Sequence, residues 1–151
     1  MKKLLIFLFI LTSNLSINAQ SKTVDSLIEE LDNDQINGTC NYVWVLKVDS
    51  KAADTLIEMG KPITQKLISF LEDPNKGIII HYILSEIWYE KYSMGPVHQD
   101  FTILEGYTSK YICNELYFYT KHSKMVAKKQ DLHENKKKWI EKIKLSSQIK
   151  Q

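Results

Sequence analysis

Arginine is absent from this chain: all 20 basic residues among its 151 are lysines. Bidentate guanidinium clamps on phosphate or carboxylate are therefore excluded. Cysteine occurs only twice, at Cys40 and Cys113, and never in the C-x-x-C spacing of a redox or zinc motif. There is no Gly-rich phosphate loop, no G-x-S-x-G and no H-E-x-x-H, so the motif-borne chemistries those sequences carry find no support. An excess of charge is missing too. The formal net charge is +2, and Lys2 and Lys3 account for it; the other 18 lysines balance 18 acidic residues. Bulk charge thus gives no argument for nucleic acid.

The longest apolar run, Leu4–Leu11, is too short for a membrane-spanning helix. With Lys2 and Lys3 before it and Ala19 ahead of Gln20, it predicts a secretory signal peptide over residues 1–19. The alternative is a short retained anchor. Residues 20–151 are then expected to form a single exported domain, periplasmic or secreted, with no stable membrane anchor after cleavage. Export permits a disulfide between Cys40 and Cys113; the alternative is two buried thiols.

The rest of the chain is organised around Gly60–Tyr92. Gly60 suits the end of a preceding helix, where a positive φ is needed, and Pro62 suits the first turn of the next. Ile63, Leu67, Phe70 and Leu71 form an apolar stripe at helical spacing. Asp73-Pro74 breaks that helix, and Asp73 or Asn75 is a candidate cap for a second one over residues 76–91. Apolar side chains surround most of that second helix, so it is expected to be covered on most sides.

Before this stretch, residues 21–32 predict an amphipathic helix. Asn33–Asn41 reads as a polar connection with an Asn37-Gly38 turn. Residues 42–48 are either a strand, from their β-branched and aromatic content, or the start of a helix. Ser50 is a good N-cap for a helix over 51–59. After it, residues 97–108 read as a loop with a short extended piece at 101–104, and 108–115 as a helical turn. Residues 116–120 and 125–127 read as a small β-hairpin about His122-Ser123. A last helix starts at Asp131.

Ala53, Leu56, Ile57, Gly60, Pro62, Leu67, Leu71 and Asp73 stand where a HEAT-like helical repeat has its small, apolar, Gly, Pro and Asp positions, and this quarter of the chain resembles that family. Ile78-Ile79-Ile80 replaces the family's usual Val-Arg pair. Only about one and a half units are present, whereas stacked repeats need three or more. The expected fold is therefore mainly α: a HEAT-like helical hairpin core in a small globular domain, with at most one short β-hairpin near the C-terminus. The resemblance implies a surface for protein contact.

Chemistry-bearing residues are sparse. His98 and Asp100 share a Pro-flanked loop and are the residues best placed for a metal or acid–base role, although ordinary surface groups explain them more simply. His81 and Ser85 lie one helical turn apart, but Glu86 projects about 140° away from His81 and cannot orient its imidazole. Trp88, Tyr89 and Tyr92 are candidate binding anchors, because such side chains bring large area at low entropic cost; the competing reading is core cover. The expectation is an exported, non-enzymatic interaction module whose partner is another protein, with no cofactor, no metal and no nucleic acid. One alternative is a periplasmic immunity or inhibitor protein against a toxin or enzyme. The other is a metal-dependent or acid–base hydrolase using His98 and Asp100 or the Glu86/Glu90 pair.

Overall fold

The structure, a computed structural model, describes residues 23–40, 44–89, 98–100, 107 and 109–148. The chain divides into two compact units, Met1–Glu30 and Leu31–Gln151. Of the first, the described part is helix α1, residues 23–29, on which Val24, Leu27 and Ile28 share a face. Residues 1–19 lie outside the described residues. Among those described, no helix is long and apolar enough to cross a membrane.

The second unit is built on α4 (Gly77–Trp88). Ile78, Ile79, Ile80, Ile83 and Leu84 are all buried, each contributing about 1.5–3 kcal/mol through area removed from water. Cover comes from α2 (Lys51–Met59) and α3 (Thr64–Ser69), both in contact with α4. Local signals shape these helices as their residues dictate. The Ser50 hydroxyl accepts from the Ala53 amide at 3.4 Å. Gly60 ends α2 at φ +68°, its N–H donating to the Ile57 carbonyl. Pro62 sits in a 3-10 turn, Lys61–Ile63, that leads into α3.

The start of α4 departs from expectation. Asp73 accepts from the Asn75 and Lys76 amides and so holds the turn before the helix. The helix's own exposed donors are met from elsewhere: Asn33 Oδ1 accepts from both Ile78 and Ile79 N–H at 3.1 Å. Asn33 Nδ2 donates to the Pro74 carbonyl at 2.9 Å, and its main-chain N–H to that of Asn75 at 2.7 Å. Asn33 opens a 3-10 turn, Asn33–Gln35, closed by a capping box between Asp32 and Gln35. A residue 45 positions upstream thus does the work of a local N-cap.

Gly77 is fixed by close approach. A Cβ there would lie 2.5 Å from the Leu71 carbonyl oxygen and 2.8 Å from a Leu132 methyl. Gly→Ala inside a helix ordinarily stabilises by about 1 kcal/mol. Here the sign should reverse: Gly77→Ala is expected to cost about 2 kcal/mol, because backbone at a fully buried Leu71 must move. A thermal melt checks this, and an unchanged or raised Tm would contradict it.

Two antiparallel sheets overturn the expected mainly α fold; the arrangement is α+β. The first pairs β1 (Ile36–Cys40) with β2 (Trp44–Val48), Ile36 opposite Val48 and Cys40 opposite Trp44. Asn37 and Gly38 are therefore mid-strand and form no turn, because ladder pairing with β2 overrides their local preference. The second sheet runs in the order β3 (His98–Asp100), β4 (Ser109–Cys113), β5 (Leu116–Lys121), β6 (Lys124–Val126). Residues 109–113, read from sequence as a helical turn, are its second strand. The extended piece expected at 101–104 lies outside the described residues. Phe118 and Leu116 of β5 are fully buried, and Tyr111 stacks on Phe118 with centroids 5.2 Å apart. The last helix, α5 (Lys129–Gln148), brings Leu132 and Trp139 into the core. The helices at the HEAT-like positions are present, but they are one part of a mixed fold.

Candidate functional site

On α5, Asn135, Lys138, Trp139 and Lys142 stand at positions i, i+3, i+4 and i+7, which puts them on one helix face. That face meets Tyr89, the residue closing α4, and the turn between β4 and β5. The turn has two residues, Asn114 at φ +43° and Glu115 at φ +71°. Two-residue hairpins favour this left-handed pair because it matches strand twist. Asn tolerates the conformation, whereas at Glu115 it costs about 1–2 kcal/mol. Lys138 pairs with the Glu115 carboxylate at 2.9 Å, which holds that carboxyl below the usual range.

These elements line an open cavity of about 480 Å³, to which Glu141, Leu145 and Ser146 also contribute. Trp139 is part of its lining, with the Tyr89 ring set against it at 75° and 6.0 Å between centroids. The Lys142 ammonium lies 3.2 Å from the Tyr89 ring centroid and 5.3 Å from that of Trp139. A cation so placed is attracted by the negative ring faces. Lys142 forms no ion pair among the described residues.

Against Trp139 sits His81, buried and satisfied at both ring nitrogens. The indole Nε1–H of Trp139 donates to Nδ1 at 3.0 Å. Indole is donor-only, so Nδ1 accepts and Nε2 carries the proton. Nε2–H in turn donates to the Cys113 carbonyl at 2.9 Å. Burial pushes the His81 pKa down to about 4, against the smaller opposing effect of the Cys113 carbonyl. This neutral imidazole holds Trp139 in place.

Two residues of the lining carry a buried polar atom without a partner: Nδ2 of Asn135, on a residue only 3% exposed whose side chain also acts on His81, and Nδ2 of Asn114 are shielded from solvent and make no hydrogen bond. An unmet buried donor costs about 1–3 kcal/mol, and such groups in a native protein call for a partner, whether water or ligand.

The residues singled out from sequence distribute unevenly. Tyr89 lines the cavity. Trp88 does not: its indole N–H donates to Thr64 Oγ1 at 3.0 Å and the Lys61 ammonium covers its ring. Tyr92 lies outside the described residues. His98 and Asp100 are placed only by backbone, in β3 opposite Ile112 and Lys110. Cys113 is a free, buried thiol, and burial pushes its pKa up to about 11; the side chain of Cys40 lies outside the described residues. Ser85 Oγ is buried without a partner, and the engaged ring nitrogens of His81 leave it no base. Among the described residues, no group of three His, Cys, Asp or Glu side chains could hold a metal ion.

Compared with known proteins, the chain matches no family model, no curated protein and no solved structure.

Proposed function

We propose that the protein is an exported, non-enzymatic binding module that recognises another protein through the cavity between α5, Tyr89 and the Asn114–Glu115 turn. The observation that carries this reading is the open cavity lined by Trp139, Tyr89 and Leu145 together with the polar side chains of Asn114, Lys138 and Lys142. Aromatic and apolar side chains beside a few polar groups are the composition of a recognition site. The volume lies within the range of ordinary ligand pockets. Leu145, 61% exposed and part of the lining, extends the apolar surface a partner would cover.

A photo-crosslinking side chain at position 145 tests this. In source-cell extracts it is expected to capture one dominant protein, and the same group at the exposed Lys47 is not. Equal capture at both positions, or none at 145, would count against the cavity as the interface. A captured enzyme or toxin whose activity falls on binding would identify an inhibitor.

A further inference from the structure

We propose that α5 is an acid-released latch: it opens from the domain as a unit while α4 stays packed with α2 and α3, and protonation of the groups that fasten it drives the opening. Three acid-labile links tie α5 to other elements. Glu72, just past α3, accepts from His133 Nδ1 at 2.6 Å and from the Lys136 ammonium. Glu115, on the β4–β5 turn, pairs with Lys138 at 2.9 Å. His81, on α4, accepts from the Trp139 indole at 3.0 Å. Each link needs a charged carboxylate or a neutral imidazole, so each fails as protons are added. The helices beneath are held otherwise. Apolar side chains bury α4, and its N-terminal amides are capped by Asn33, which does not titrate.

The histidine link is the trigger. An indole N–H only donates and a carbonyl only accepts, so Trp139 and the Cys113 carbonyl together fix one neutral tautomer of His81. A proton added at Nδ1 sets N–H against N–H and leaves the indole without its acceptor. The groups that face the ring are Glu115 of the turn and Asn135 of α5, which favour protonation, Lys142 of α5, which opposes it, and the buried, uncharged Cys113 thiol of β4. Burial outweighs them and keeps the ring neutral while α5 is closed; once α5 leaves, the ring meets water and regains its ordinary basicity. The open form therefore takes a proton that the closed form refuses, and opening becomes more frequent as pH falls from 6.5 to about 4. Glu72 and Glu115, whose partners hold their carboxyls below the ordinary range, let go at lower pH. α5 is free to leave by itself because a helix's backbone bonds are internal and it pairs with no strand. Of its described side chains only Leu132, Asn135 and Trp139 are buried, and few buried contacts mark a unit of low local stability. Seven of the ten residues lining the cavity stand on α5, so the cavity goes with it. Acid control of recognition rests on the binding reading above; the latch itself does not.

The experiment is amide hydrogen exchange of the intact native protein at pH 7, 6 and 5, with intrinsic exchange rates divided out to give an opening constant for each amide. At pH 7 the α5 amides are expected to open at least about tenfold more often than those of Ile80–Leu84 in α4. From pH 7 to 5 the α5 opening constant should rise about twentyfold, the linkage of one group that titrates at 6.5 when open and at about 4 when closed. His81→Gln offers an amide oxygen to the indole and an amide N–H to the Cys113 carbonyl but takes up no proton in this range, so its α5 opening should lose the pH dependence. Equal opening constants in α5 and α4 at every pH would mean that the domain unfolds as one, and the latch would be overturned. An α5 opening constant in the wild type that stays level between pH 7 and 5 would overturn it too, as would a pH dependence retained in His81→Gln. The wild-type protein alone thus decides, even where the variant fails to fold. No partner enters the measurement, so its failure leaves the binding reading standing.

Discussion

Asn33→Ala is expected to lower the stability of the domain by about 4 kcal/mol, a large part of the 5–15 kcal/mol typical of such folds. Loss of an ordinary N-cap costs about 0.5–2 kcal/mol. Asn33 does more than cap. Its removal strands the buried Ile78 and Ile79 amides, and each unmet buried group costs about 1–3 kcal/mol, while the Pro74 carbonyl, on an exposed residue, can turn to water. Urea unfolding of Asn33→Ala and Asn33→Asp separates the contributions. Aspartate keeps the acceptor and adds a negative charge at the helix N-terminus, which is favourable; against this it buries that charge and sets a carboxylate oxygen where Asn33 donates to the Pro74 carbonyl. The Asp variant should therefore recover part of the deficit. Equal losses in the two variants would mean that side-chain volume, not capping, sets the effect.

Mild acid should destabilise the protein through His81. Its folded pKa of about 4 lies below the unfolded value of 6.5. The unfolded chain therefore binds the proton more readily. The stability from keeping the ring neutral is fully present above pH 6.5 and is lost as pH falls to about 4. The shift corresponds to about 3 kcal/mol. Glu72 adds a separate loss at lower pH, because hydrogen bonds from Lys136 and His133 lower its pKa to about 2 from 4.5. Urea midpoints at pH 7, 6 and 5 sample the histidine window above the carboxylate one, which opens as pH falls through 4.5. His81→Gln should be less stable at pH 7 and nearly flat across that window. A wild-type midpoint that does not move between pH 6.5 and 4 would contradict a neutral buried imidazole.

Signals that act within one turn were legible in the sequence. Ser50, Gly60 and Pro62 each act on backbone a few residues away, and each does in the structure what its chemistry demands. The apolar circumference of α4 likewise announced a buried helix. Strand pairing was not legible, because it depends on a partner elsewhere. Asn37-Gly38 carries a strong turn signal, yet five residues of ladder with β2 outweigh it. Residues 109–113 become a strand because β3 and β5 lie on either side. The candidate site failed to show for the same reason. Tyr89 drew notice as an aromatic, but Asn114, Asn135 and Lys142 are ordinary surface types, scattered until the hairpin turn and one face of α5 converge. No local pattern marks an asparagine whose amide will lack a partner.

The order of residues along the chain has a consequence for biogenesis. Asn33 leaves the ribosome before α4 does, and domains tend to fold as they emerge, N-terminal part first. This helix, apolar around most of its circumference, is therefore synthesised into a setting where its terminal donors already have an acceptor. Were the cap downstream, Ile78–Leu84 would have to wait uncapped, with its apolar surface open to other nascent chains.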